Sequence, residues 1–265
     1  MKRLLAIGVV MVLVAGGAWY YARGPGSQPL VETNTPEPGE WLDNLYSQNP
    51  REVEAASEEV AALGAQALPV VQAVLRDHNA EAERIKAALK AAGIIGQAAA
   101  PAIPEVASLL PEAGVTSEAA IALSYMGRDA FPPLRDALVH ADPVVRRESL
   151  RSIGKLKDRA PLDLAQVLPL LLAGLADPDP GVRAVGATYL GIIHGSPAEA
   201  VPALEKALAD PDAEVRRSAA AALAAFGAEA APALPALRKA STDRNEDVAR
   251  EAGRTIVKLQ GTKEK

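Results

Sequence analysis

Asp177-Pro178-Asp179-Pro180-Gly181-Val182-Arg183 returns 33 residues later as Asp210-Pro211-Asp212-Ala213-Glu214-Val215-Arg216. A turn written twice at one spacing marks a repeat, and the period extends in both directions from this pair. With Glu52, Arg84, Val115, Val145, Val182, Val215 and Val248 as anchors, the spacings are 32, 31, 30, 37, 33 and 33 residues. Four residues after each anchor stands a small side chain: Ala56, Ala88, Ala119, Ser149, Gly186, Ala219 and Ala252. Eight after, the side chain is always apolar, from Val60 to Ile256; eleven after, it is large and apolar, from Leu63 to Leu259. Offsets of 0, 4, 8 and 11 share one face of a helix of about 3.6 residues per turn. The small column predicts a close helix approach there, with the large columns filling the layer beneath.

A glycine follows several of these helices, as at Gly64, Gly96, Gly127 and Gly227, where a helix end needs positive φ. Pro69, Pro104, Pro132, Pro169, Pro202 and Pro235 then read as first-turn prolines of a second helix. Two residues beyond them stand Val71, Val106, Leu134, Leu171, Leu204 and Leu237. Each unit is therefore two antiparallel helices. Asp142-Pro143, Asp177-Pro178 and Asp210-Pro211 join units through turns in which Asp can cap the following helix. The predicted fold class is all-α, an α-solenoid of antiparallel helix pairs.

The turn motifs at 177–183 and 210–217 resemble HEAT repeats, specifically the short type named after phycobilisome lyases. The resemblance covers about 220 residues, and the same solenoid serves many partners. It implies a ladder between units in which Asp177, Asp210 and Asp243 meet Arg183 and Arg216. It also implies that the second helices line the concave face. The residues three and four after each helix-start proline would then be partner-binding: Gln72, Arg135, Asp136, Leu172, Glu205, Lys206, Arg238 and Lys239. Leu172 alone breaks a mostly polar column, within the uncharged run Val167–Leu175. It reads either as a partner patch or as a residue covered by the added residues 157–166, expected to form a rim loop.

The ends fit a solenoid. Trp41, Leu42, Leu45 and Tyr46 predict a half-repeat helix over the first unit, and the charged helix at 245–259 closes the last. Before the repeats, Lys2 and Arg3 precede an uncharged run, Leu4–Ala22, that ends in Trp19, Tyr20 and Tyr21. This reads as a signal anchor or transmembrane helix over 1–23, or as a cleaved signal peptide; both place the body outside the cytoplasm. Residues 24–39 are a Pro/Gly-rich linker, 40–261 the repeat domain of six to seven units, and 262–265 a tail.

Composition narrows the function. Of 265 residues 49% are hydrophobic but only 3% aromatic, which favours close-packed helices over sheets. A net charge of −5 with mixed signs argues against a nucleic-acid partner, and the absence of cysteine removes thiol chemistry and thiolate metal sites. His78, His140 and His194 are single and lack the spacing of paired ligands, and no phosphate-cradling glycine loop or nucleophile elbow occurs. The expectation is a non-catalytic scaffold, exported or membrane-tethered, with a protein or peptide partner and no cofactor or metal. The alternatives are an enzyme of bilin-lyase type and a purely structural envelope component.

Overall fold

The computed structural model describes residues 11–14, 18–21, 30–32, 40–160 and 162–261. After a short α1 (Glu40–Asn44) come seven first helices: α2 (Pro50–Leu63), α4 (Ala82–Ile95), α6 (Thr116–Leu123), α8 (Pro143–Arg159), α10 (Pro180–Ile193), α12 (Ala213–Leu223) and α14 (Glu246–Gly261). Between them run the second helices α3 (Leu68–Arg76), α5 (Ile103–Ser108), α7 (Phe131–Asp136), α9 (Leu164–Gly174), α11 (Pro197–Ala207) and α13 (Leu234–Ala240). Neighbouring pairs stack into a two-layered all-α solenoid.

The predicted columns are the core. All seven small residues, from Ala56 to Ala252, are buried, as are all six apolar residues two after the prolines. The reason for smallness is visible at Gly186, where a Cβ would stand 2.9 Å from the Leu171 carbonyl oxygen and 3.1 Å from the backbone of Gly174 and Leu175. The first helix of one unit thus rests on the backbone of the preceding second helix, and any side chain there would separate them. Gly64, Gly96, Gly127 and Gly227 all take positive φ and end their helices as expected. Trp41, Leu42 and Leu45 of the half-repeat are buried against the first unit.

Two expectations need correction. Pro169 and Pro202 lie inside α9 and α11, which begin about a turn earlier, at Leu164 and Pro197. Other units spend the same residues on a 3-10 turn after the glycine, as at Gly64–Ala67 and Gly96–Ala102. The added residues of the fourth unit do not form a rim loop. Residues 157–159 lengthen α8 by a turn and α9 starts at Leu164, with Ala160 and Leu162 buried between them.

Of the expected export segment at 1–23, residues 11–14 and 18–21 are described; with 30–32 they form a three-stranded antiparallel sheet of β1 (Met11–Val14), β2 (Ala18–Tyr21) and β3 (Leu30–Glu32), with Val12 opposite Tyr20 and Tyr20 opposite Val31. Two apolar runs on either side of Gly16-Gly17, rich in Val and aromatic residues, are also a hairpin pattern. Strand pairing satisfies backbone groups that a lone spanning helix satisfies internally in lipid. The remainder of the expected linker and the tail at 262–265 lie outside the described residues. Ala213–Ala240 is apolar and long enough to cross a membrane, but it is two helices broken at Gly227 (φ 53°), and its apolar residues are those of the repeat core.

Candidate partner-binding surface

The second-helix residues singled out from sequence do share the solvent side of their layer. Gln72 is half-buried, with Nε2 donating to the Pro101 carbonyl at 3.2 Å. Arg135 and Asp136 are exposed and pair with each other at 2.8 Å. Lys206, Arg238 and Lys239 are exposed and Glu205 is half-buried. Glu205, Lys206 and Lys239 line a shallow groove of about 830 Å³ that reaches Asp210, Arg216 and Asp243 at the turns. Leu172 is half-buried and packs against the core, so it is neither a free patch nor a core residue.

First helices pack on one another in succession from α2 to α14, most closely at α10 and α12, where a Cβ added to Gly191 would stand 2.6 Å from the Ala222 Cα. A Cβ on Gly93 would likewise sit 3.6 Å from the Ala122 Cα on the next first helix. Second helices pack chiefly against first helices and approach one another more loosely. The Gln72-to-Lys239 row belongs to the second-helix layer.

The turns between units hold the ladder. Arg183 grips both carboxylate oxygens of Asp210 at 2.8 and 2.9 Å, and its Nη1 donates to the carbonyls of Asp177 and Pro178. Arg216 repeats this on Asp243, with Nη1 on the carbonyls of Asp210 and Pro211. A third rung, Arg146 on Asp177 at 2.7 and 2.8 Å, was missed in the sequence, although Val145-Arg146 carries the same signal as Val182-Arg183. The rungs Arg183–Asp210 and Arg216–Asp243 span 27 residues, while Arg146–Asp177 spans 31, so the longer fourth unit keeps the geometry. Capping falls to the second acid of each turn: Asp179 accepts from Val182 N–H and Asp212 from Glu214 and Val215 N–H. In the earlier turn Asp142 caps α8 itself.

Electrostatics follow from these contacts. Partial burial pushes the Asp177 and Asp210 carboxyls up, but the paired guanidinium, a backbone N–H and a second arginine together outweigh it, leaving both below the ordinary aspartate value. For Asp243 the Arg216 hydrogen bond is the leading cause of the same downward shift. The three histidines stand apart: His78 between α3 and α4, His140 before α8 with Nδ1 accepting from Asp142 N–H, and His194 at the end of α10.

Residues 168–257 match the family model described as HEAT repeats. No curated protein matches the chain. Among solved structures, the complex of CpcE and CpcF of phycocyanin lyase from Nostoc sp. PCC7120 is similar at 22% identity and a TM-score of 0.50, over 58% of this chain and 98% of that one. Kap121p is similar at 14% identity and a TM-score of 0.60, over 82% of this chain and 27% of that one. Kap121p bound to Pho4p gives 14% and 0.61, over 79% of this chain and 28% of that one. At these identities the likeness is one of fold. Over its described helices the chain is an all-α solenoid of the kind these repeat proteins share, and residues 168–257 carry the HEAT pattern.

Proposed function

We propose that the protein is a non-catalytic scaffold that holds a protein or peptide partner along the outward face of its first helices, exported or tethered to a membrane by its first residues. The observation that carries this reading is the division of labour among the side chains. The repeating rows are spent on packing and on the turn ladder, and what varies from unit to unit is the outward face of the first helices: Lys90, Ile121, Arg151, Thr188 and Ala221 occupy one column. A constant frame with a varied face is how a repeat protein presents a binding surface. Among the similar solenoids, Kap121p has been solved bound to Nup53p and to Pho4p, which supports a protein partner. Lys2, Arg3 and the apolar run after them support the export reading, and the strand pairing seen for 11–32 is an alternative that the same residues take without lipid.

The test is capture of partners from the native membrane fraction with the full chain as bait, followed by mass spectrometry. A protein retained in fixed stoichiometry is the expected result. Failure to retain any protein in stoichiometric amount, or turnover of a chromophore by the purified chain, would overturn it.

A further inference from the structure

On the first-helix side, outward basic residues are mostly neutralised by a carboxylate three residues earlier: Lys86 by Glu83, Arg217 by Glu214, Arg250 by Asp247 and Arg254 by Glu251. α8 departs from this. Arg147, Arg151, Lys155 and Arg159 recur every four residues along it, forming one stripe. Glu148, which is buried, takes both Arg147 and Arg151, with Arg151 at 2.8 Å. Lys155 and Arg159 have no carboxylate within ion-pair distance among the described residues. Three residues before each stand Ser152 and Leu156, where other units place an acid.

An aromatic ring covers one of these two cations. The Arg159 guanidinium lies 3.9 Å from the centre of the Tyr125 ring, just after α6, and donates to Ser124 Oγ at 3.2 Å. The Tyr189 ring on α10 occupies the space that a side chain at Gly154 would need, directly beside Lys155 in the chain. Arg159 belongs to the extra turn of α8 that the long fourth unit supplies, so the insertion is what brings a cation to Tyr125. Burial first, then Arg151 and Arg159, lower the proton affinity of Lys155, and Glu148 offsets only part of this.

Tyr125 also closes a second feature. With Tyr46, Leu89, Gly93, Ile94 and Ile121, and with Lys90 and Glu118 as its charged members, it lines a groove of about 510 Å³ along α4 and α6, next to the stripe. Ile121 and Tyr125 are 41% and 44% exposed there. A groove that takes an apolar side chain thus adjoins uncompensated cations, in a chain whose net charge is −5.

We propose that this joint surface, the Tyr46–Ile121–Tyr125 groove together with the Arg151–Lys155–Arg159 stripe, binds an acidic peptide segment that carries an apolar anchor residue. It rests on the scaffold reading and names the chemistry of the partner. Carboxylates on the segment would supply the counter-charges α8 lacks, with Arg159 already oriented by the Tyr125 ring, and the apolar residue would enter beside Gly93. A nucleic acid fits less well: it needs a long basic track, whereas here the uncompensated charge is confined to one helix.

A random peptide display library panned against the full chain tests this, in parallel with the Lys155→Glu/Arg159→Glu chain and a milder Lys155→Gln/Arg159→Gln chain whose melting and helicity match the parent. Asp- or Glu-rich sequences with a recurring apolar residue should enrich on the parent, and synthesised examples should bind the altered chains about tenfold or more weakly, as loss of steering charges implies. Replacing their carboxylates by amides should weaken them equally, and Ile121→Asp should weaken them without altering their charge preference. No enrichment, a basic or uncharged consensus, or equal binding to parent and altered chains would overturn the proposal. Displacement of the peptides by single-stranded DNA at equal charge concentration would also overturn it, as a general polyanion surface. A native partner captured equally by parent and Lys155→Glu/Arg159→Glu chains would leave the scaffold reading standing and remove this one.

Discussion

Arg183 of one turn and Asp210 of the next, 27 residues apart, are joined through both carboxylate oxygens, each side chain about one-eighth exposed. The same guanidinium also binds two carbonyls of its own turn, so one side chain fastens a turn internally and to its successor. Three such rungs tie α8, α10, α12 and α14 into one block, and the block includes the residues that match the HEAT model.

Removing a rung should therefore loosen more than a surface pair. Arg183→Ala leaves the Asp210 carboxylate without its bidentate partner and two carbonyls without a donor, and should cost about 2 to 4 kcal/mol. Arg183→Lys should recover only part, because an ammonium cannot reproduce the planar fork. Chemical denaturation of the three chains checks both statements.

Acid should act through the same rungs. Asp177, Asp210 and Asp243 have folded pKa values below the ordinary 3.8, so the unfolded chain binds more protons in that range. Their contribution is fully present above the ordinary value and is lost as pH falls through the folded values. Melting temperature should fall as pH is lowered below about 4, and Asp210→Asn should make that fall shallower. An unchanged slope in Asp210→Asn would contradict the assignment.

The small column can be tested at its tightest position. Gly186→Ala places a Cβ against the backbone of α9 and should destabilise the fold by about 1 to 3 kcal/mol, as overpacking does. Ala219→Trp, at a fully buried position of the same column, should cost at least as much. Thermal melts followed by helicity would register either change.

Leu172→Glu distinguishes a half-buried side chain from its two extremes. Its packing against the core predicts a loss of about 1 kcal/mol, part of what complete burial of a leucine is worth. A loss above about 3 kcal/mol would mean complete burial of an unpaired carboxylate, and no loss would place the residue outside the core.

Export has a direct readout. A reporter active only in the cytoplasm, fused after residue 30, should stay inactive if Lys2, Arg3 and the apolar run after them act as the proposed export signal. Activity there would contradict the proposed location.

Much of the fold was legible because a solenoid is built from contacts between neighbours in sequence. Ala56, Ala88, Ala119 and their successors declare a buried column simply by recurring, and Gly64 or Gly227 declares a helix end by its freedom at positive φ. The Asp210 and Arg216 roles were legible from the resemblance of their turn, and Arg146 would have been found by applying the same Val-Arg signal to Val145. The apolar run before residue 23 satisfies helix and hairpin patterns alike, and Met11–Val14 pairs with Ala18–Tyr21.

The sequence by itself determined the repeat, the hairpin unit, the buried rows and the turn chemistry, since each depends on offsets within about one repeat. Tertiary structure alone decided how closely α10 and α12 approach, where the extra turn of α8 goes, and that Arg159 meets Tyr125 while Lys155 makes no ion pair among the described residues. Those outcomes depend on how far successive units rotate and approach, a quantity set by side chains such as Gly93, Gly186 and Gly191 packing against another helix, which no periodicity along the chain encodes.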